Sequence, residues 1–503
     1  MSTQTMPTNA AAFTLDEVVQ VTAGQLLYHG AEQANSVTTD TRTLKLGALF
    51  VALVGERFDA HHFLDQACKS GATILVVQDV PQAQSLVELL GRTTKAPHPS
   101  IVLVQDTLRA LGDLACAHRA RHGAQLVAVV GSAGKTTTRS VISALLEEAV
   151  GDRVHSTLSN FNNRIGVPVT LFGLQPHHAF AVLELGTNER GEIAELARIA
   201  QPNLAVLTLI DLEHTEGLGD LDGVEAEERA VFDYLPSSGK AIGYGDDPRV
   251  LRSVVGAACQ QHLTYGELPE RDVRIVDRHV IAPDESEVSL QRLDQSRLSI
   301  SSPLVGRAGA LAVAAGVTVV EALLERRLTR DECERALRRA GEPGRHTIVH
   351  LAGGRVVLDD SYNSNPASVE NSIRTGVEIA QLTGGRLWLV LGEMLELGAL
   401  TVEAHQHMGE AIDPAQVAGV FFVQGAAIYA KNACRSGIEV CEFVEKSEQV
   451  VAQLSPRLGP LDVVVVKASR GVRAERVVEG LVAHFGREPA AQNALSNPSY
   501  RQT

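Results

Sequence analysis

None of the six cysteines (Cys68, Cys116, Cys259, Cys333, Cys434 and Cys441) stands in a CxxC pair. That argues against a zinc ribbon or a disulfide framework and predicts a reducing compartment. Positive charge is in deficit: 45 Lys and Arg face 60 Asp and Glu, a net charge of −15, so no nucleic-acid footprint is expected. Small anionic substrates stay compatible with that balance, because a local pocket can be positive on an acidic protein. The segment 1–12 has no basic start and no long apolar run, so no secretory signal is read there. No apolar stretch is read as reaching the roughly 18 residues of a membrane span, so no membrane insertion is expected. Internal repeats and low-complexity tracts are lacking as well. These absences together predict a cytoplasmic protein.

What is present is ordinary for a globular chain: 45% hydrophobic and 21% charged residues over 503 positions. At about 100–200 residues per domain, that length predicts three domains. Short β-branched runs alternate with helical patterns. The runs include 74–78, 101–104, 126–130, 181–185, 205–209, 356–358, 387–391, 420–423 and 463–466; helices are expected at 138–149 and 192–200. Such alternation predicts parallel sheets covered by helices. The polar stretch 91–100 reads as a linker. A second break is Gly341-Glu342-Pro343-Gly344, after a helix that opens with a capping-box pair, Thr329 and Glu332. The expected units are therefore 13–103, 104–341 and 342–486, with loose ends at 1–12 and 487–503.

The most specific motif is Gly131-Ser132-Ala133-Gly134-Lys135-Thr136-Thr137. It follows an apolar strand and precedes a helix, the context a phosphate-cradling loop requires. Glycines let backbone N–H groups turn towards phosphate oxygens, and the helix N-terminus adds its positive end. Lys135 is expected on the β- and γ-phosphates of ATP and the Thr136 hydroxyl on Mg²⁺. The eight-residue form of the motif wants glycine at 129, where this chain has Val129; a structural glycine turn is the competing reading.

A magnesium site needs further hard oxygen ligands. Glu184 closes the next apolar strand, where a carboxylate is costly unless it is paired or on a metal. His214 follows another strand in a glycine-punctuated loop, as a metal or phosphate contact or as a solvated side chain. The segment 159–166 (SNFNNRIG) carries Asn160, Asn162 and Asn163, whose amides suit a polar ligand such as a sugar or peptide; a set of Asx turns is the alternative.

Together these motifs resemble the Mur ligase family, which adds amino acids to peptidoglycan precursors. The resemblance runs from about Thr14 to Phe485. It is carried by GSAGKTT (131–137), NFNNRIGVP (160–168), LELGTNERGEI (183–193) and HTEGLG (214–219) in the centre. At the N-terminus Thr39-Asp40-Thr41-Arg42 and 47–63 look like the family's UDP-sugar module. At the C-terminus LDDSYNSNPAS (358–368), LGEMLELG (391–398) and VKASRG (466–471) are similar to the branch that adds D-alanyl-D-alanine.

The resemblance implies an α/β protein of three domains. These are an N-terminal UDP-binding α/β domain, a central P-loop ATPase-type domain with a parallel sheet, and a C-terminal Rossmann-like α/β domain. It implies a monomeric ligase that joins D-Ala-D-Ala to UDP-N-acetylmuramoyl-tripeptide through an acyl phosphate, with ATP and two Mg²⁺. Arg345 is then expected at phosphate, Asp360 at the ribose, and Tyr362 and Asn363 beside the nucleotide. Thr39, Asp40, Thr41 and Arg42, with the three asparagines, hold the UDP-substrate. Lys135, His214 and Glu228 form the catalytic set, and Thr136, Glu184, His214 and Glu228 the metal set.

Three positions depart from the family's pattern. Ala60 replaces a usual glycine. The stretch 304–316 lacks the usual His and Asn. Glu228 stands where relatives carry a lysine that becomes carbamylated. Glu228 is read as a carboxylate substitute for that lysine, with Glu227 one residue away as the alternative and a solvated acidic run (Glu225, Glu227, Glu228) as the plainer reading. Two other functions stay in view: another amide ligase on the same scaffold, such as a folylpolyglutamate synthase-like enzyme, and a regulatory protein with a degenerate nucleotide site.

Overall fold

The computed structural model describes residues 9, 11–55, 58–91 and 98–488. Among these, the strands form three main sheets. The N-terminal sheet contains β1 (Gln25–Tyr28), β2 (Ser36–Thr38), β3 (Ala48–Val51), β4 (Ile74–Val77) and β5 (Ser100–Leu103), in the order β1-β5-β4-β3-β2. β1 is antiparallel to β5 and the other neighbours are parallel.

The central sheet contains β6 (Gln125–Val130), β7 (Val154–Ser156), β8 (Phe180–Glu184), β9 (Leu204–Leu207) and β10 (Lys240–Tyr244). It continues with β11 (Gln261–Gly266), β12 (Val273–Ala282), β13 (Glu285–Gln291) and β14 (Arg297–Ser302). Its order is β7-β8-β6-β9-β10-β11-β12-β13-β14. The C-terminal sheet contains β15 (Thr347–Leu351), β16 (Arg355–Asp360), β17 (Leu387–Gly392), β18 (Gly419–Val423), β19 (Val440–Val444) and β20 (Val463–Lys467), ordered β15-β16-β20-β17-β18-β19.

The expected parallel runs are present, but each sheet also carries antiparallel strands that apolar runs alone do not reveal. β12, β13 and β14 form an antiparallel meander, and β15 pairs antiparallel with β16. The reason lies in the pleat. In β13, Ser286, Val288 and Leu290 are buried while the residues between them are half-exposed. A sheet with one wet face alternates polar and apolar residues and is joined by tight hairpins.

Seven helices matter for the site: α1 (Thr107–Ala120), α2 (Lys135–Val150), α3 (Glu192–Ala200), α4 (Leu221–Arg229), α5 (Gly306–Leu324), α6 (Arg330–Leu337) and α7 (Pro366–Thr383). α6 opens on the Thr329–Glu332 capping box expected from sequence. α2 begins at Lys135, three residues before the expected start, because Gly134 at φ +85° serves as its N-cap. α5 corrects the expectation that no stretch has the length and apolarity of a membrane span. Its 19 residues pass both criteria, yet 72% of its most apolar window is buried inside the fold. Gly316 makes that packing close, since an added Cβ would lie 2.5 Å from Val141 Cγ1 on α2.

The chain ends also differ from expectation. Ala11 is fully buried and Asn9 Oδ1 accepts from Val37 N at 3.3 Å, so packed structure begins before residue 13. At the other end Glu488 N donates to His350 O at 3.0 Å. Residues 1–8, 10 and 489–503 of the expected tails, and 92–97 of the expected linker, lie outside the described residues.

Candidate active site

β6 runs straight into the glycine loop, and the strand ends of the parallel sheet are where such folds assemble their sites. Gly131 at φ +123° could not carry a side chain: a Cβ would lie 2.3 Å from Thr208 Oγ1. Thr208 ties the loop down, its hydroxyl lying 2.7 Å from Ala133 O and 3.0 Å from Val130 O. Ser132 N donates to Leu209 O at 2.8 Å. The loop is thus held by Thr208 and Leu209, just past the end of β9.

Lys135 Nζ donates to Gly131 O at 2.5 Å and lies 3.2 Å from Glu213 Oε2. Burial pulls the ammonium down, but the charges of Glu213, Glu228 and Glu184 outweigh burial and hold it above its ordinary value. Glu213 is buried too, and Lys135 with His214 keeps its carboxyl below the usual range. Glu228 is 1% exposed, and its Oε2 accepts from Gly131 N at 2.8 Å. Burial pushes its carboxyl up to about 7, Lys135 notwithstanding. The solvated-run reading is therefore overturned. Glu225 pairs with Arg249 and Arg252. Glu227 caps α3, accepting from Gly191 N at 2.6 Å and Ile193 N at 2.7 Å. Only Glu228 reaches the phosphate loop, and it does so from behind, outside the lining of the cavity.

That cavity, of about 420 Å³, lies between the central and C-terminal sheets. From the central domain it is lined by Ser132 to Thr137, Asn160, Asn162, Asn163, Glu184, Glu213 and His214. Glu184 is 1% exposed; its Oε1 accepts from Asn162 Nδ2 at 2.9 Å. Its Oε2 accepts no hydrogen bond, Arg139 Nε standing off at 3.6 Å. The buried Thr136 lies in the first turn of α2. These donors suit a hard cation. Among the described residues no group of three or more His, Cys, Asp or Glu converges as a ready-made cage. Mg²⁺ seldom asks for one; it keeps waters and phosphate oxygens and takes one or two protein carboxylates.

The C-terminal domain contributes Arg345, His346, Asp360, Tyr362, Asn363, Asn365, Glu396, Lys467 and Arg470. Arg345 Cζ lies 4.0 Å over the Tyr362 ring and Arg470 Cζ 5.1 Å from its centroid, two cations against one aromatic ring. Asp360 is occupied within its own domain. Lys467 Nζ lies 2.7 Å from its Oδ2, which also accepts from Ser372 Oγ at 2.7 Å, and His346 N donates to its Oδ1 at 3.1 Å. Although burial works against it, Lys467 holds the Asp360 carboxyl far below the usual range. The domains are pinned at the phosphate loop itself: Asn365 Nδ2 donates to Ser132 O at 3.1 Å and Ala367 N to Asp211 Oδ2 at 2.9 Å.

The structure thus brings together all the residues expected around ATP except Gly131, which shapes the loop without lining the cavity. It places the residues expected around the UDP-substrate in two regions. Asn160, Asn162 and Asn163 line the nucleotide cavity, whereas Thr39, Asp40, Thr41 and Arg42 form a turn of the N-terminal domain away from it. There Arg42 grips Asp40 through Nε (2.9 Å) and Nη2 (2.7 Å). Leu304, Ala308 and Gly309 supply apolar lining from the segment that lacks the usual His and Asn. Sequence reasoning missed Glu213, His346, Asn365, Glu396, Lys467 and Arg470 as lining residues. Lys467 left a signal, a lone lysine closing the strand Val463-Val-Val-Val-Lys467; Glu396 left none, because its role depends on the other domain.

Comparison with known proteins agrees with this geometry. Residues 33–119 match the Mur ligase family catalytic domain, 129–320 the Mur ligase middle domain, and 344–470 the Mur ligase glutamate ligase domain. The chain is 34% identical to the UDP-N-acetylmuramoyl-tripeptide–D-alanyl-D-alanine ligase of Escherichia coli K12, over 93% of this chain and 98% of that protein. Its identity to the Bacillus subtilis ligase of the same name is 30%, over 93% and 98%. Among solved structures, MurF from Acinetobacter baumannii superposes with a TM-score of 0.82 at 25% identity, covering 95% of this chain and 100% of that one. MurF from Thermotoga maritima in complex with ADP gives 0.76 at 25% identity, covering 88% and 96%.

Proposed function

The chain belongs to the Mur ligase family, and on that premise we propose that it joins D-alanyl-D-alanine to UDP-N-acetylmuramoyl-tripeptide in peptidoglycan precursor synthesis, converting ATP to ADP and phosphate. The observation that carries this reading is the single cavity lined by a phosphate loop on one domain and by Arg345, Tyr362 and Asn363 on the next. The γ-phosphoryl group passes to the terminal carboxylate of the tripeptide, the amine of the dipeptide attacks the resulting acyl phosphate, and phosphate leaves as the amide forms. Such transfer needs positioning and charge neutralisation, not a protein nucleophile.

In this reading Lys135 leaves Gly131 O and Glu213 for the β- and γ-phosphates, and the loop N–H groups cradle them. Thr136 and Glu184 would hold one Mg²⁺ and His214 a second, with Glu228 lending its charge to that second site from behind the loop, where it accepts from Gly131 N. Bound Mg²⁺ neutralises charge on the transferring group. Arg345 meets phosphate, while Tyr362 and Asn363 flank the nucleotide; Asp360 reaches the ribose only by sharing its bonds to Lys467, His346 and Ser372. Thr39, Asp40, Thr41 and Arg42 hold the UDP end, and Asn160, Asn162 and Asn163 the peptide end nearer the chemistry. The enzyme works as a cytoplasmic monomer. The test is phosphate release from ATP with each substrate omitted in turn. Release only when UDP-tripeptide and D-Ala-D-Ala are both present supports the reading; release with a glutamate acceptor in place of D-Ala-D-Ala sinks it.

A further inference from the structure

His214 and Glu396 come from different domains, yet Glu396 Oε2 lies 2.5 Å from His214 Nδ1, an ion-pair contact that is off the line of a hydrogen bond. The contact is the centre of a clasp. Glu216 N donates to Glu396 O at 3.3 Å, and Thr215 Oγ1 donates to Leu397 O at 2.9 Å. Gly398 closes it at φ +52°, and a Cβ there would lie 3.2 Å from Glu216 Cα. Both central residues stand in the left-handed region, His214 at φ +51° and Glu396 at φ +66°. Side chains with a Cβ adopt that conformation at a cost, which surrounding contacts must sustain. The loop after β17 therefore holds its shape where it meets the loop after β9.

The orientation of the imidazole follows. With Nδ1 facing the Glu396 carboxylate, Nε2 lies on the Glu213 side, 3.4 Å from Glu213 Oε1, and both residues line the phosphate cavity. A histidine whose one nitrogen is fixed by a carboxylate presents the other as a ligand of defined tautomer and direction. Here that carboxylate arrives only with the C-terminal domain.

We propose that Glu396 is a positioning residue that orients His214 across the domain interface, so that docking of the C-terminal domain completes the second cation site beside the phosphate loop. The proposal rests on the reading of His214 as a metal ligand given above. Linkage makes the effect reciprocal: a cation bound more tightly by the docked form must favour docking. In this proposal Glu396 acts through His214, its carboxylate turned to Nδ1.

The test uses the full chain with a non-hydrolysable ATP analogue and Mn²⁺, whose free ion is counted by electron paramagnetic resonance, and small-angle scattering on the same samples. Glu396→Ala should weaken Mn²⁺ binding by about tenfold or more, in line with the loss of a carboxylate behind a metal-bound histidine. The compaction produced by Mn²⁺ and nucleotide should shrink with it. Glu396→Gln keeps an oxygen to accept from Nδ1–H and should restore affinity to within about threefold, which also controls for folding. His214→Ala should match or exceed the loss in Glu396→Ala. If His214→Ala weakens Mn²⁺ binding and Glu396→Ala does not, the positioning role is wrong while the metal reading stands. If His214→Ala has no effect, the metal reading falls and the proposal falls with it.

Discussion

Lys135 has two roles that pull a substitution in two directions. Among the described residues it is the only cation paired with Glu213 besides His214, and its charge opposes the raised carboxyl of Glu228. Lys135→Ala is expected to lower turnover by a hundredfold or more, on the scale of removing one transition-state donor. It should also lower the thermal midpoint, because a buried carboxylate loses its partner. Phosphate release and a melting curve on the same preparation check both parts. Glu228→Gln should separate the roles differently. The amide keeps a hydrogen-bond acceptor for Gly131 N while removing a buried charge, so the midpoint should stay or rise. The magnesium concentration for half-activation should rise on the order of tenfold if the charge serves the second cation. Wild-type magnesium dependence would reduce Glu228 to a prop for the loop. Arg42 is a simpler case: its side chain is 84% exposed and is held by Asp40. Arg42→Ala should raise KM for the UDP-peptide and leave KM for ATP unchanged; an equal rise in both would place Arg42 outside the UDP site.

At the scale of elements, the sequence was most legible where one physical rule governed a segment. α3 spans the residues its amphipathic pattern predicts, and α6 starts on its capping box. The β12–β14 meander was legible too, but only to an alternating pattern rather than to apolar runs. What no single element announces is a histidine group built from three of them. His118 on α1 lies 4.5 Å from His122 just past the helix end, His155 on β7 lies 5.1 Å from His178, and His177 lies 4.1 Å from His178, all ring centroid to ring centroid. Burial and the neighbouring histidines hold both His118 and His178 down at about 4. Folded values below the ordinary 6.5 mean that the unfolded chain takes up protons first. The stability these histidines support is therefore complete above about pH 6.5 and is lost as pH falls towards 4. Thermal midpoints measured from pH 7.5 down to 4.5 should fall, and a His118→Phe variant should flatten that slope; an unaltered slope would assign the acid sensitivity elsewhere.

At the scale of the whole molecule, the cavity assigned to ATP spans a domain boundary. ATP would touch Lys135 on one domain and Arg345 on another, and Asn365 already bonds the phosphate loop across the gap. A ligand that bridges two bodies binds best to the arrangement that brings both together. Nucleotide and UDP-peptide together should therefore shift the scattering of the full chain towards the compact form. A radius of gyration unchanged at saturation would show that the domains rest together without ligand.

The division between chain and fold is clear at this site. The sequence by itself determined the phosphate loop, since glycine spacing, a lysine and a following helix are local requirements. It determined the family as well, through motifs that each lie within a dozen residues. Only the tertiary structure decided which acidic residue of Glu225, Glu227 and Glu228 meets that loop, because helical phase assigns faces but not what lies opposite them. It alone set Asn160, Asn162 and Asn163 in the wall of the nucleotide cavity, and it alone joined Glu396 to His214. Those contacts span up to 182 positions of chain, and no periodicity in a sequence encodes a distance that arises from two domains packing face to face.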